Sequence, residues 1–287
     1  LRSKGNAVIN LMGAVGGVYA LIMISLLVGS GTTPDYFPLF LSVGLLMLLS
    51  IAVLFFTVPE NKLRARMASE EESTDNGPAS TAELPREMKR SLLFILLSVA
   101  LWYIAYNAVT TAFSRYATHV WGLENGGYAN CLMVATVAAI VSYIPIGALS
   151  SRIGRKRTIL IGVALLTFCY LCASFYTTYH ATMNLFFGVI GFAWAAINVN
   201  SFPMVVEIST GGDVGKYTGY YYTFSMAAQV ITPILSGFLL EHISYRTLFP
   251  YAVVFSVLAF CTMLFVKHGD SKPEKKKSML ENFDVDD

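Results

Sequence analysis

Gly147-Ala-Leu-Ser-Ser151-Arg152-Ile-Gly154-Arg155-Lys156-Arg157 is a short basic turn set between two apolar runs, 128–149 and 158–178. Each run has the twenty or so residues needed to cross roughly 30 Å of hydrocarbon. In that medium the backbone must satisfy its own hydrogen bonds, so both runs read as helices. The glycines allow a tight turn between them, and the arginines offer charge-assisted hydrogen bonds to neighbouring helix ends. Further apolar runs lie on either side, at about 6–28, 36–57, 91–117, 181–206, 217–240 and 247–266. Eight spans make an all-α, polytopic helical membrane protein.

Composition agrees. Of 287 residues, 55% are hydrophobic and 13% charged, about half the usual charged share of a soluble domain. Too little polar surface remains to cover a water-soluble fold of this length. The placement of charge then sets the orientation. With the first span starting inside, all but two of the 20 Lys and Arg residues fall on the cytoplasmic side; Arg115 and Arg246 are the exceptions. Both termini are therefore expected in the cytoplasm, in a multi-pass protein of the cell (plasma) membrane. The polar stretch 59–90, with Glu70, Glu71 and Glu72, reads as a flexible cytoplasmic linker. Residues 267–287 read as a solvated cytoplasmic tail. Organisation follows as 1–58, linker 59–90, a six-helix half 91–266 and the tail. The chain opens Leu-Arg-Ser-Lys rather than on Met, which is read as a truncated start.

Four spans carry polar or small residues at helical spacing, where a lipid-facing helix would be apolar all round. The third has Tyr103, Asn107, Thr110 and Ser114; the sixth has Gly191, Trp194, Asn198 and Ser201. The seventh has Thr218, Tyr222, Ser225, Gln229, Thr232 and Ser236; the first has Asn6, Asn10, Gly13, Gly17 and Ala20. Helix–helix contact explains such stripes where small residues let backbones approach and amides bond across the interface. For the first span, with Gly13-x-x-x-Gly17, that reading is preferred. The seventh has more polar residues than helix contact requires, so it is expected to face a water-filled pathway. Pro145, Pro203 and Pro233 lie inside spans and should kink them.

No Asp or Glu sits mid-span: Glu207, Asp213, Glu241 and Asp35 lie at helix ends or in loops. A proton-coupled carrier needs a group whose pKa changes with access, and this chain offers no obvious one. Arg115, near an outer end, reads as snorkelling to the interface, with a polar substrate or gate carboxylate as the alternative. His119, His180, His242 and His268 are scattered, with no pair at metal-ligand spacing. Cys131, Cys169, Cys172 and Cys261 lie in apolar runs and read as small buried thiols. No enzyme, metal site, organic cofactor or nucleic-acid partner is expected.

The turn 147–157 closely resembles the cytoplasmic signature of the major facilitator superfamily, a Gly followed by Asp-Arg-x-Gly-Arg-Lys. Ser151 departs from it, standing where that family usually has Asp. The resemblance covers the whole chain, since that family has two six-helix halves joined by a long cytoplasmic loop. It implies a major-facilitator-type bundle lacking its first four helices, which function would require, and a gate formed by Gly147, Arg152, Gly154, Arg155 and Lys156. Arg2-Ser-Lys4-Gly-Asn6-Ala-Val-Ile-Asn10-Leu-Met-Gly13, Asn200-Ser-Phe-Pro203-Met and Gly215-Lys-Tyr217-Thr-Gly219-Tyr-Tyr-Tyr222 resemble the glycoside–pentoside–hexuronide:cation and sucrose/proton symporters. That implies sugar or glycoside uptake coupled to H⁺ or Na⁺ by alternating access. Sugar sites combine stacking rings with hydrogen-bonding amides, and Tyr103, Tyr106, Asn107, Trp194, Asn198, Tyr222 and Gln229 could provide both. The open alternatives are another solute, such as a drug or lysolipid, and a non-transporting sensor or assembly partner.

Overall fold

The computed structural model describes residues 2–27, 37–57, 59, 85–123, 128–208 and 214–270. Eight α-helices occur among them: α1 (Arg2–Leu27), α2 (Phe37–Thr57), α3 (Arg86–Trp121), α4 (Tyr128–Ile153), α5 (Arg155–Ser174), α6 (Thr182–Glu207), α7 (Val214–His242) and α8 (Leu248–Leu264). A single 3-10 turn, Tyr245–Thr247, leads into α8. Seven of these segments are long and apolar enough to cross a membrane, and α1 contributes the apolar stretch Asn6–Gly16. The chain is a multi-pass helical membrane protein. Most of the stretch 59–90 expected as a linker lies outside the described residues, but its end does not. Arg86–Arg90 extends α3 by five residues, because Arg, Glu, Met and Lys all favour helix and nothing interrupts them after Pro85.

The chain divides into two compact units, Leu1–Leu11 with Pro85–Asp287, and Met12–Leu84. The first turns of α1 thus belong with the six-helix body rather than with α2. In the second unit α2 is apolar throughout, and Leu39 is its one buried residue among those described. A helix this apolar is stable only with lipid or other helices around it.

In the six-helix body the helices form two layers, α4–α6–α5 and α7–α3–α8, joined where α5 meets α8. The contacts are symmetric under a shift of three helices. α3 packs on α7 and α8, and α6 packs correspondingly on α4 and α5. The two triplets α3–α5 and α6–α8 thus make corresponding contacts, a pattern that fits the repeat architecture found in many secondary transporters. α3 and α6 meet at only a few places, through large side chains rather than close backbone approach.

Close backbone approach fixes the α4–α6 contact. A Cβ on Gly191 would lie 2.0 Å from the Ala135 carbonyl oxygen, so only glycine fits. At one end of the body the rings of Phe113, Tyr116, Trp121 and Phe249 cluster mainly edge to face, and Phe187 lies tilted against Phe113. Trp121 closes the cluster by donating its Nε1–H to Tyr176 O at 3.0 Å. Outward-facing Val141, Ile144, Phe168, Val230, Ile234 and Phe238 are exposed, as a surface wetted by lipid requires. Pro145, Pro203 and Pro233 lie within α4, α6 and α7, and all four cysteines are free thiols.

Candidate functional site

A chain of rings and hydroxyls lies where α3, α6 and α7 meet. Trp194 of α6 stacks flat on Tyr106 of α3, with centroids 3.7 Å apart and planes 5° apart. Its ring also meets Tyr103 edge-on at 5.2 Å. The Tyr103 hydroxyl lies 3.5 Å from that of Tyr221 on α7, which lies 2.9 Å from Ser201 Oγ on α6. Helical spacing brings this about. Tyr103 and Tyr106 are three apart on α3, and Trp194, Asn198 and Ser201 follow at four and three on α6. Three helices therefore present uncharged hydrogen-bonding groups to one place.

One turn along α6, Asn198 donates Nδ2–H to Asn10 Oδ1 at 3.0 Å. Asn6 Nδ2 donates to the carbonyls of Asn198 and Val199 at 3.1 and 2.9 Å. The amides at the start of α1 thus bond to α6, as the helix-contact reading of that stripe expects. Nothing lies within 4 Å of a Cβ built on Gly13, however, so its Gly13-x-x-x-Gly17 part finds no partner helix among the described residues. Tyr222 is 47% exposed, with its ring against Tyr221 and Phe202. Asn107 and Gln229 behave differently. Asn107 donates to Tyr103 O at 2.8 Å and Gln229 to Ser225 O at 3.4 Å, each within its own helix. The structure therefore gathers Tyr103, Tyr106 and Trp194 directly. It sets Asn198 and Tyr222 beside them and leaves Asn107 and Gln229 bonded locally. Tyr221, Ser201, Asn6 and Asn10 complete the group. Asn6, Asn10 and Ser201 were visible as stripe members, whereas Tyr221 was hidden among three successive tyrosines.

The α7 stripe splits, against the expectation that all of it lines a pathway. Ser225, Thr232 and Ser236 are buried, and each returns its hydroxyl to a carbonyl three or four residues back. Their face packs in the α3–α7 contact, where small residues allow close approach. Thr232→Val and Ser236→Ala are accordingly expected to change thermal stability by less than about 1 kcal/mol, since each removes a hydroxyl whose carbonyl partner keeps its helical bond. A thermal melt in detergent checks this; a larger loss would put these hydroxyls in a shared polar network.

Beside this group lies a cavity of about 180 Å³ shared by α3, α4, α5 and α6. Tyr106 and Thr110 line it from α3, and Tyr170 lines it from α5. The Tyr170 hydroxyl is fully buried and has no hydrogen-bond partner.

The basic turn is built differently from its sequence appearance. Gly154 is the single residue between α4 and α5, at φ 95° and ψ 151°, a conformation that only glycine adopts cheaply. Gly147 is buried nearly two turns before the end of α4, and Arg152 is exposed. Asp270, beyond α8, accepts from the amides of Arg155 at 2.7 Å and Lys156 at 3.3 Å. It caps α5 through space, because a carboxylate satisfies the orphan N–H groups and opposes the positive end of the helix dipole. The buried Arg155 guanidinium pairs with Glu207 at 3.1 Å, and Lys156 Nζ donates to the carbonyls of Leu264 and Val266. Ser91 Oγ lies 2.9 Å from His268 Nδ1. Gly269, at φ 88°, sits where a Cβ would meet Met204 O at 2.6 Å. Residues 267–270, expected as solvated tail, are thus a strap across the ends of α3, α5 and α6. At the opposite end Arg115 pairs with Glu241 at 2.8 Å, both about half exposed. The carboxylate alternative for Arg115 is the one observed, and an exposed pair adds little stability.

This arrangement, two helix triplets with corresponding contacts and a one-residue glycine turn between α4 and α5, has a counterpart among known proteins. The family profile for the Major Facilitator Superfamily matches residues 127–283, more than half of the chain. The chain belongs to the Major Facilitator Superfamily. Among curated proteins it is similar to Uncharacterized protein YqgE of Bacillus subtilis (strain 168). The two are 26% identical over 201 residues, covering 65% of this chain and 44% of that protein. The chain thus spans less than half the length of that relative.

Proposed function

We propose that this major-facilitator chain takes part in cation-coupled uptake of a sugar or glycoside by alternating access in the plasma membrane, with both termini cytoplasmic. The observation that carries the reading is the Trp194–Tyr103–Tyr221–Ser201 group, in which rings and hydroxyls from three helices converge with no charged side chain among them. Neutral hydroxylated solutes suit such a surface. Aromatic faces cover the apolar side of a sugar ring, and each hydroxyl or amide replaces a water. Trp194 and Tyr106 already stack on each other, so the exposed edges of Tyr103 and Tyr222, with Asn198, would make the polar contacts. The coupling ion is H⁺ or Na⁺, and its carboxylate would belong to helices outside this chain.

At the basic end, Arg155, Lys156, Glu207 and Asp270 form a brace that would keep the six-helix body rigid while it rocks. Arg152 is free to bond across the cytoplasmic face in one gate state. Alternating access needs rigid halves and labile contacts between them.

The test is uptake of labelled sucrose and maltose by cells expressing the full gene, with and without a protonophore. Accumulation that the protonophore abolishes is the expected result. Asn198→Ala and Tyr221→Phe should each lower uptake by about tenfold or more, because each strips a hydrogen bond from a water-excluded site. No uptake of either sugar, by protein shown to reach the membrane, would remove the sugar reading and leave the fold untouched.

A further inference from the structure

We propose that the first turns of α1 form a latch on the proline break of α6, and that α6 changes its bend at Val199–Pro203 when the latch is released. Asn6 is the latch residue, because it supplies the hydrogen-bond donor that Pro203 cannot.

Pro203 lies within α6 and is buried. It has no N–H, so the Val199 carbonyl four residues earlier loses its helical partner, and the proline ring pushes that carbonyl aside. Val199 has no exposed surface, which leaves no room for water to replace the lost bond. Within a membrane body such a freed carbonyl is answered by a neighbouring helix. Here the neighbour is α1. Asn6 Nδ2 donates to Val199 O at 2.9 Å and to Asn198 O at 3.1 Å, and Asn6 is itself only 8% exposed. Pro145 and Pro233 differ, since both stand on exposed faces of α4 and α7.

Asn10, one turn further along α1, holds the same seat. Its Nδ2 donates to Asn6 O at 2.8 Å, and its Oδ1 accepts from Asn198 Nδ2 at 3.0 Å. Three bonds between the helices therefore fall where the proline interrupts α6. All three join uncharged groups, and little else supports them. Ala7 is buried beside Asn6, but Val8, Ile9 and Met12 are exposed. A contact of this kind lets go without dismantling the body. Once Asn6 leaves, Val199 O can turn only to the Phe202 N–H, a tighter 3-10 turn that alters the bend of α6. α1 is also the described helix that the chain's two units share, divided at Leu11 and Met12, so a shift of α1 reaches α6 through Asn6.

Asn198 ties the latch to the polar group. Its Nδ2 is committed to Asn10 while α1 is seated, so a solute hydroxyl that takes this donor competes with Asn10. That consequence rests on the sugar reading above; the latch itself does not.

The experiment is hydrogen exchange read by mass spectrometry on the protein of the full gene in lipid nanodiscs. Asn6→Ala should speed exchange about threefold or more in residues 2–11 and 199–208, the worth of one or two hydrogen bonds, with α5 and α8 unchanged. Pro203→Ala restores an N–H and lets α6 close its own bond to Val199 O. In that background Asn6→Ala should still loosen residues 2–11 but alter exchange in α6 by less than about 1.5-fold. Equal loosening of α6 in both backgrounds would mean that Asn6 only fills space, and overturns the proposal. Asn6→Leu keeps the size and removes the donor, so native protection of α6 in that variant overturns it even if Pro203→Ala does not fold. Saturating sucrose or maltose should speed exchange in residues 2–11 of the unmodified protein. If neither sugar does so while the Asn6 and Pro203 results hold, the latch stands and the sugar reading falls. If a sugar does so while Asn6→Leu leaves α6 protected, the reverse holds.

Discussion

Gly191→Leu is expected to leave almost no folded protein in the membrane. The Cβ alone would sit 2.0 Å from the Ala135 carbonyl oxygen and 2.8 Å from its carbonyl carbon. These are backbone atoms of a neighbouring helix, so no rotamer change relieves the clash. α4 and α6 would have to separate along their whole contact, which is the most extensive helix pairing in the six-helix body. Overpacking against movable side chains costs about 1–3 kcal/mol, and against a fixed backbone the cost should exceed that range. Even Gly191→Ala should lower the melting temperature clearly. Gly13→Ala supplies the contrast, because nothing lies within 4 Å of a Cβ built there, and it should be nearly neutral. Size-exclusion profiles and thermal melts of the three variants are the measurement. A monodisperse, normally melting Gly191→Leu would mean that the helices do not meet as described.

Asp270→Ala is the second large effect. The variant removes two hydrogen bonds that the Asp270 carboxylate accepts from the amides of Arg155 and Lys156, and a charged hydrogen bond is worth about 1.5–3 kcal/mol. It also removes the negative charge at the start of α5, where the dipole favours one. The loss should fall near 2 kcal/mol and be local. Amide exchange should speed up at the first turn of α5 and along residues 267–270, with the aromatic cluster at the other end unaffected. Asp270→Asn keeps an acceptor and should lose about half as much. Hydrogen exchange read by mass spectrometry separates these outcomes. Unchanged protection at Arg155 and Lys156 would show that Asp270 is a bystander. Combining Asp270→Ala with Glu207→Ala should be non-additive, because Arg155 bonds to both through its backbone and its side chain.

The helices were legible in the sequence wherever length and hydropathy alone decide. The runs around Val141, Leu165 and Phe255 had to be membrane helices, since no other backbone is satisfied in hydrocarbon. The tight reversal at Gly154 was legible as well, because two glycines and four cations between apolar runs leave few alternatives. The end of the linker was misjudged for a related reason. Arg86–Arg90 is polar and so looked like loop, but polarity marks the edge of the bilayer and not the end of a helix.

The candidate site was only half legible. Periodicity found Tyr103, Trp194, Asn198 and Ser201, because side chains three and four apart share a helix face. It could not say which neighbour that face would meet. Ser225, Thr232 and Ser236 have the same spacing as the members of the polar group, yet they are buried in the α3–α7 contact. Tyr221, flanked by Tyr220 and Tyr222, had no pattern to single it out, and only the position of Ser201 and Tyr103 does so.

What the sequence by itself determined is the helical type of the spans, the sites of the turns and the uncharged character of the interior, while of the eight spans expected seven are of membrane-crossing length and apolarity. These depend on local length, polarity and backbone chemistry, all of which are written in consecutive residues. Only the tertiary structure decided that Asp270 caps a helix beginning 115 residues earlier, that Gly191 is a backbone contact, and that the Tyr170 hydroxyl is buried without a partner. Each of these depends on distances between helices. Those distances are set by the simultaneous fit of six helices, and no single span encodes them.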